Sequence, residues 1–89
     1  MDFYPVFMNL RGRRVLVIGG GEVAARKVDL LHSAGGRIVV VSPQLGRELA
    51  VRRAAGDIEH VGRRVVAGDV PGAALVVCAS DDERLHGRV

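Results

Sequence analysis

Three near-continuous runs of apolar residues, many of them β-branched, punctuate the chain: 14–18, 37–41 and 74–79. A shorter mixed run, Ile58–Val61, stands between the second and third. Short runs apolar at successive positions predict strands buried on both faces, as in a parallel sheet. Between the first two runs the pattern changes period. Over 22–34, Ala24, Val28 and Leu31 recur on one helical face, with Glu22, Arg26, Asp29 and Ser33 on the other. Glu22 and Arg26 also stand four apart, a spacing that supports a helix. Gly35-Gly36 predicts its end. Ser42-Pro43 predicts a second helix, with Ser as N-cap and Pro at the first helical position. That helix would reach Ala55 and stop at Gly56, with Leu45 and Leu49 facing inward and Arg52-Arg53 in solvent.

The remaining segments complete the pattern. Residues 1–10 form an apolar lead-in in which Phe3, Val6, Phe7 and Leu10 would cover a sheet edge, and Arg11-Gly12-Arg13 predicts a turn. Residues 62–72 are turn-rich, and Ser80-Asp81-Asp82 predicts the cap of a third helix. The order β-α-β-α-β-loop-β-α predicts an α/β fold with right-handed crossovers and helices on both faces of a parallel sheet. About four strands and three helices make this an incomplete, Rossmann-like sheet. No linker or repeat interrupts it, so residues 1–89 read as one domain.

Residues Gly19-x-Gly21-x-x-Ala24 bring chemistry to this frame. They follow the first strand, open the first helix and match the G-x-G-x-x-G/A pattern of a dinucleotide-binding turn. Gly19 would permit the sharp turn, Gly21 would let the backbone approach a pyrophosphate, and Ala24 would let the helix pack closely on the strand. The helix N-terminus would then offer N–H groups and partial positive charge to the phosphates. Glu22 would contribute through its backbone, because its carboxylate repels phosphate. Ligands in parallel sheets bind beyond the strand C-termini. Three segments are expected at that edge: Gly19 to Val23, Ser42-Pro43-Gln44 and Ser80-Asp81-Asp82.

The usual acid about 20 residues after the glycines, which binds a ribose hydroxyl, is absent. Ser42 stands there, followed by Pro43, with Glu48 the next acid and Arg47 close by. Ser42 could bond a ribose or serve only as a helix cap, and the spacing leaves NAD and NADP both open. Asp81 and Asp82 could meet the cofactor or cap the last helix.

Composition narrows the rest. The formal net charge is +3, but the arginines are dispersed in pairs without aromatic neighbours, which argues against nucleic-acid binding. The one cysteine, Cys78, lies in an apolar run and reads as a small buried hydrophobe. One cysteine and three scattered histidines supply no zinc spacing. The first residues lack a signal-peptide pattern, and there is no apolar run long enough for a membrane span. A cytoplasmic protein is expected.

The stretch from Met1 to Val28, with Tyr4-Pro5-Val6-Phe7 joined to Gly-Gly-Gly-Glu-Val-Ala-Ala-Arg-Lys, resembles the opening of siroheme synthase N-terminal domains. The similarity continues through Val40 to Leu45, Gly56 to Glu59 and Val77 to Asp82. Members of that family are precorrin-2 dehydrogenases, often also sirohydrochlorin ferrochelatases. The resemblance implies NAD-dependent oxidation of precorrin-2 to sirohydrochlorin in siroheme biosynthesis. It also implies cofactor contacts at Gly19, Gly21, Glu22, Val23, Ser42, Pro43, Gln44, Ser80 and Asp81. The chain departs from the family at Val65, usually aromatic, and at His86, commonly asparagine. Similar proteins continue into a dimerising region and a helical part that shapes the tetrapyrrole pocket. Their shared catalytic aspartate falls past Val89, so no residue here is named catalytic. The chain reads as the NAD-holding front of a longer homodimeric enzyme. The alternatives are an NAD-binding regulatory module, or an inactive remnant.

Overall fold

β1 (Arg14–Ile18), β2 (Arg37–Val41), β3 (Ile58–Val61) and β4 (Leu75–Cys78) form one parallel sheet in the order β3-β2-β1-β4. The computed structural model describes residues 10–79. β1 and β2 keep the expected bounds, and β4 is shorter than the apolar run that predicted it. In register, Ile18 pairs with Val41 and Cys78, and Val41 pairs with Val61. All four strands therefore end at one edge.

Two α-helices connect the first three strands. α1 (Glu22–Ser33) buries Ala24, Ala25, Val28 and Leu31. α2 (Arg47–Ala54) buries Leu49. Both pack on the sheet face that carries Val15, Val17, Ile38, Val40, Ile58 and Val77. The strand order explains the shared side. β1 to β3 step in one direction, and right-handed crossovers put both helices on the same face. The chain then returns past β2 and β1 to reach β4, so the direction of winding reverses between β1 and β4. The opposite face carries Leu16, Val39 and Val41, with Ile18, Val61 and Ala73 packed around them. The expected third helix lies outside the described residues. Leu10, from the lead-in, is buried in the main core, and Arg13 N–H closes the expected turn onto its carbonyl at 2.8 Å.

The end of α1 follows from its glycines. Gly35 takes φ +86°, and its N–H bonds His32 O while Gly36 N–H bonds Leu31 O. This paired closure satisfies carbonyls left open by the last turn, and its left-handed residue favours glycine. α2 ends with the same bonding, from Gly56 to Arg53 and from Asp57 to Arg52.

Three expectations are corrected. α2 begins at Arg47 with Gly46 as its N-cap, so Ser42 does not cap it and Pro43 is not its first residue. The intervening residues form an extended turn because Ser42 closes on Gln44 rather than on a helix. Arg52 is not simply solvated. It reaches Asp29 of α1 at 2.6 Å and Asp57 at 3.3 Å, tying the two helices together, while Arg53 is exposed. Cys78 is exposed, not buried. β4 flanks β1 alone among the described strands; Val77 turns into the helix-covered core with Leu75 packed against it, while Val76 and Cys78 alternate onto the other face and are exposed.

Candidate dinucleotide site

The loops leaving the strand C-termini are laced together by backbone bonds. Gly19 N–H donates to Val41 O at 3.1 Å, Ser42 N–H to Val61 O at 3.1 Å, and Ala79 N–H to Ile18 O at 2.8 Å. Gly19 takes φ +125°, a conformation that side chains rarely adopt, so the turn off β1 needs glycine there. Gly21 is the N-cap of α1 with an extended backbone, and no side chain caps that end. Its carbonyl accepts the first helical bond, from Ala25 N–H at 3.0 Å. Ala24 is fully buried against the sheet, as the close packing of this motif requires.

The middle glycine carries a role the pattern does not show. A Cβ on Gly20 would run into the carbonyl oxygen of Gln44 and stand 2.7 Å from Ser42 Oγ. Gly20 O in turn accepts Gly46 N–H at 2.7 Å. The glycine turn and the loop after β2 thus lie backbone against backbone. A G-x-G-x-x-A reading leaves position 20 free and gives no reason to notice Gly46. Only the run of three glycines hinted at the contact.

Ser42 is almost fully buried, with 4% of its surface exposed. Its hydroxyl donates to Gln44 O at 2.6 Å, which sets the turn. His60 on β3 supports the same turn. Its Nε2 lies 3.0 Å from Ser42 O, and the Nε2–H tautomer donates to that carbonyl. His60 Nε2 also stands 3.5 Å from Ser42 Oγ. With its proton committed to Gln44, the hydroxyl retains lone pairs to offer a ligand. Nothing in the spacing of the histidines foretold this use of His60.

Ile18, Gly19, Val41, Ser42 and Pro43 line an open pocket of about 450 Å³ that is completed by Arg64 and Val65 from the loop after β3. Its size falls within the range of small-molecule sites. Among the described residues, no carboxylate lines it. Glu22 instead borders a separate hollow beside Arg26 and Glu48. Gln44 presents its carbonyl to Ser42 and is otherwise exposed. Ser80, Asp81 and Asp82 lie outside the described residues. No group of His, Cys, Asp and Glu among the described residues could hold a metal ion.

The loop after β3 is clasped by one carboxylate. Asp69 sits in a short 3-10 turn (Ala67–Asp69) and receives both guanidinium ends of Arg63, at 2.7 and 2.9 Å, and Val66 N–H at 2.8 Å. Arg14 Nη1 reaches the Asp69 and Pro71 carbonyls at 3.4 Å, anchoring the same loop to β1. The hydrogen bond from Arg63, followed by that from Val66, holds the Asp69 carboxyl down to about 2. The same partner raises the Arg63 guanidinium. Because the folded carboxyl lies below its ordinary value of 3.8, the stabilisation is complete above that value and is lost as pH falls through about 2. An NMR titration following the Asp69 side-chain carboxyl carbon is expected to show no midpoint between pH 3 and 9. A midpoint near 4 would mean that the clasp does not form in solution.

Comparison with known proteins agrees with this geometry. Residues 6–89 match the family described as "Putative NAD(P)-binding". Siroheme synthase of Thioalkalivibrio sulfidiphilus is 52% identical over 89 residues, all of this chain and 18% of that protein. Siroheme synthase of Pseudomonas aeruginosa strain PAO1 is 49% identical over the same length, 19% of that protein. The chain therefore spans about a fifth of the length of these curated relatives. The solved structure of SirC, a precorrin-2 dehydrogenase, superposes with a TM-score of 0.82 at 30% identity, covering 96% of this chain and 43% of that one. The parallel sheet, the glycine turn at the winding reversal and these matches lead to one conclusion: the chain belongs to the NAD(P)-binding domain family found as the N-terminal part of siroheme synthases.

Proposed function

We propose that residues 1–89 form the NAD-holding unit of a precorrin-2 dehydrogenase, a cytoplasmic enzyme of siroheme biosynthesis. The observation that carries this reading is the convergence of the glycine turn and the Ser42–Gly46 loop at the reversal of winding between β1 and β4. Dinucleotides bind at such a reversal, with the pyrophosphate against the helix N-terminus.

The residues present fit that group. Gly19 and Gly21 shape the turn, and the backbone of Glu22 and Val23 opens α1 toward the pyrophosphate. Ser42, Pro43 and Gln44 would meet the adenosine ribose, with Ser42 Oγ accepting from a ribose hydroxyl rather than donating. Ser80 and Asp81 would provide the third contact. When bound, NAD accepts a hydride. With precorrin-2 as donor, that hydride would carry one hydrogen nucleus and two electrons, a second hydrogen would leave as a proton, and the products would be sirohydrochlorin and NADH. The chain's own residues orient the acceptor; the tetrapyrrole pocket and dimer contacts are assigned to other parts of the longer, homodimeric protein. The name of the similar solved structure, a precorrin-2 dehydrogenase, supports precorrin-2 as substrate, and the siroheme synthase relatives support the pathway.

Calorimetric titration of this chain with NAD and with NADP tests the cofactor assignment. Saturable binding of NAD, tighter than NADP, is expected. Equal or tighter NADP binding would overturn the choice of NAD, and no binding of either would overturn the cofactor role. The catalytic assignment is tested in the longer protein by following NADH at 340 nm with precorrin-2. NAD binding there without NADH formation would favour a regulatory module instead.

A further inference from the structure

The pocket at the strand ends has a wall that belongs to none of the cofactor contacts assigned to the glycine turn or to the loop after β2. Arg64 and Val65 come from the loop after β3, yet they line the same space as Ile18, Gly19, Ser42 and Pro43. That loop is not held by core packing, since Arg64, Val65 and Val66 are exposed. It is held by Asp69, whose two carboxylate oxygens take Arg63 on one side of Arg64 and the Val66 N–H on the other. Arg63 Nη1 also donates to Arg64 O at 2.9 Å. The two residues facing the pocket are therefore bracketed by bonds to one carboxylate. Exposed loops ordinarily wander unless something fixes them, and a bidentate arginine–carboxylate pair supplies both strength and direction.

The composition of the wall indicates its ligand. Val65, Pro43 and Ile18 are apolar, and Arg64 adds a planar cation. A flat aromatic base suits this pairing, because a guanidinium stacks on a π-face while the apolar residues cover the other side. The pyrophosphate end of the site is already assigned to the glycine turn, which leaves this end for the base. We propose that Arg64 and Val65 form the adenine-binding wall of the dinucleotide site, with Arg64 contacting the base and Asp69 acting as a positioning residue through the Arg63 clasp. This rests on the proposed cofactor role and assigns its adenosine end.

The experiment is a double-mutant cycle on the full chain, with ADP-ribose as the probe, followed by calorimetry. Arg64→Ala is expected to raise Kd about tenfold, since one stacked cation contributes on that order. Asp69→Asn is expected to raise Kd by a similar factor in the wild-type background. In the Arg64→Ala background it should change Kd less than about twofold, because its effect runs through Arg64. Arg64 is exposed, so Arg64→Ala keeps the fold and remains informative if Asp69→Asn does not fold. Wild-type binding left unchanged by Arg64→Ala would overturn the wall. Fully additive losses would overturn the positioning role of Asp69. A wild-type chain that binds no ADP-ribose would remove the cofactor reading and this inference together.

Discussion

Gly20→Ala is expected to disrupt the site and the fold together. The new Cβ meets the Gln44 carbonyl oxygen, a backbone atom, and lies 2.7 Å from Ser42 Oγ, which is tethered to that same carbonyl by its hydrogen bond. Gln44 O already accepts the Ser42 hydroxyl, and Gly20 O already accepts Gly46 N–H. Relief requires the loop after β2 to move as a unit, which breaks those bonds and shifts the start of α2. Overpacking of this kind costs about 1–3 kcal/mol. Lost bonds add to that, so a destabilisation of about 3 kcal/mol is expected in urea unfolding. NAD binding should fall below detection, because the two loops no longer face each other. A Gly20→Ala protein with wild-type stability and affinity would mean that the loops do not pack as described.

Gly21→Asp separates binding from folding. Gly21 caps α1 with φ −95°, which any residue can adopt. Aspartate is among the preferred N-cap residues, and it would supply the side-chain cap that α1 lacks. Stability should therefore be unchanged or higher by about 1 kcal/mol. Binding should not survive. The carboxylate would occupy the space in front of the helix N-terminus and repel the pyrophosphate there. A loss of at least about 100-fold in NAD affinity, near 3 kcal/mol, is expected by titration. Wild-type affinity in this variant would sink the pyrophosphate role of the glycine turn. The two variants together distinguish a glycine needed for packing from one needed for a ligand.

The contrast between these neighbours shows what a linear pattern conveys. The fingerprint weights Gly19, Gly21 and Ala24; the structure meets its demands at Gly19, through a positive φ, and at Ala24, through close packing, while Gly21 takes a conformation open to any residue. It is silent on Gly20 because that residue's constraint comes from Gln44, far along the chain and in a different loop. The misplacement of α2 has a related cause. Ser42-Pro43 is a sound local helix start, but the Ser42 hydroxyl closes on Gln44 O and His60 holds Ser42 O from the neighbouring strand. The helix begins only after Gly46 has bonded across to Gly20. Cys78 errs for another reason: an apolar run does not reveal which of its residues turn toward the helices, and Cys78 alternates with buried Val77 onto the other face of the sheet.

What the amino-acid sequence determined by itself is local. The lengths of the apolar runs, the helical spacing of Ala24, Val28 and Leu31, and the glycines that end each helix specified the elements and their parallel arrangement, because period and turn chemistry act over a few residues. The glycine turn likewise announced a dinucleotide. Tertiary structure alone decided how the loops meet. It put Gly20 against Gln44, committed the Ser42 proton, and recruited His60. It also carried Arg64 and Val65 to the pocket on a loop clasped by Asp69. Those contacts join residues far apart in the chain through strand register and crossover handedness. Neither is encoded at any single position.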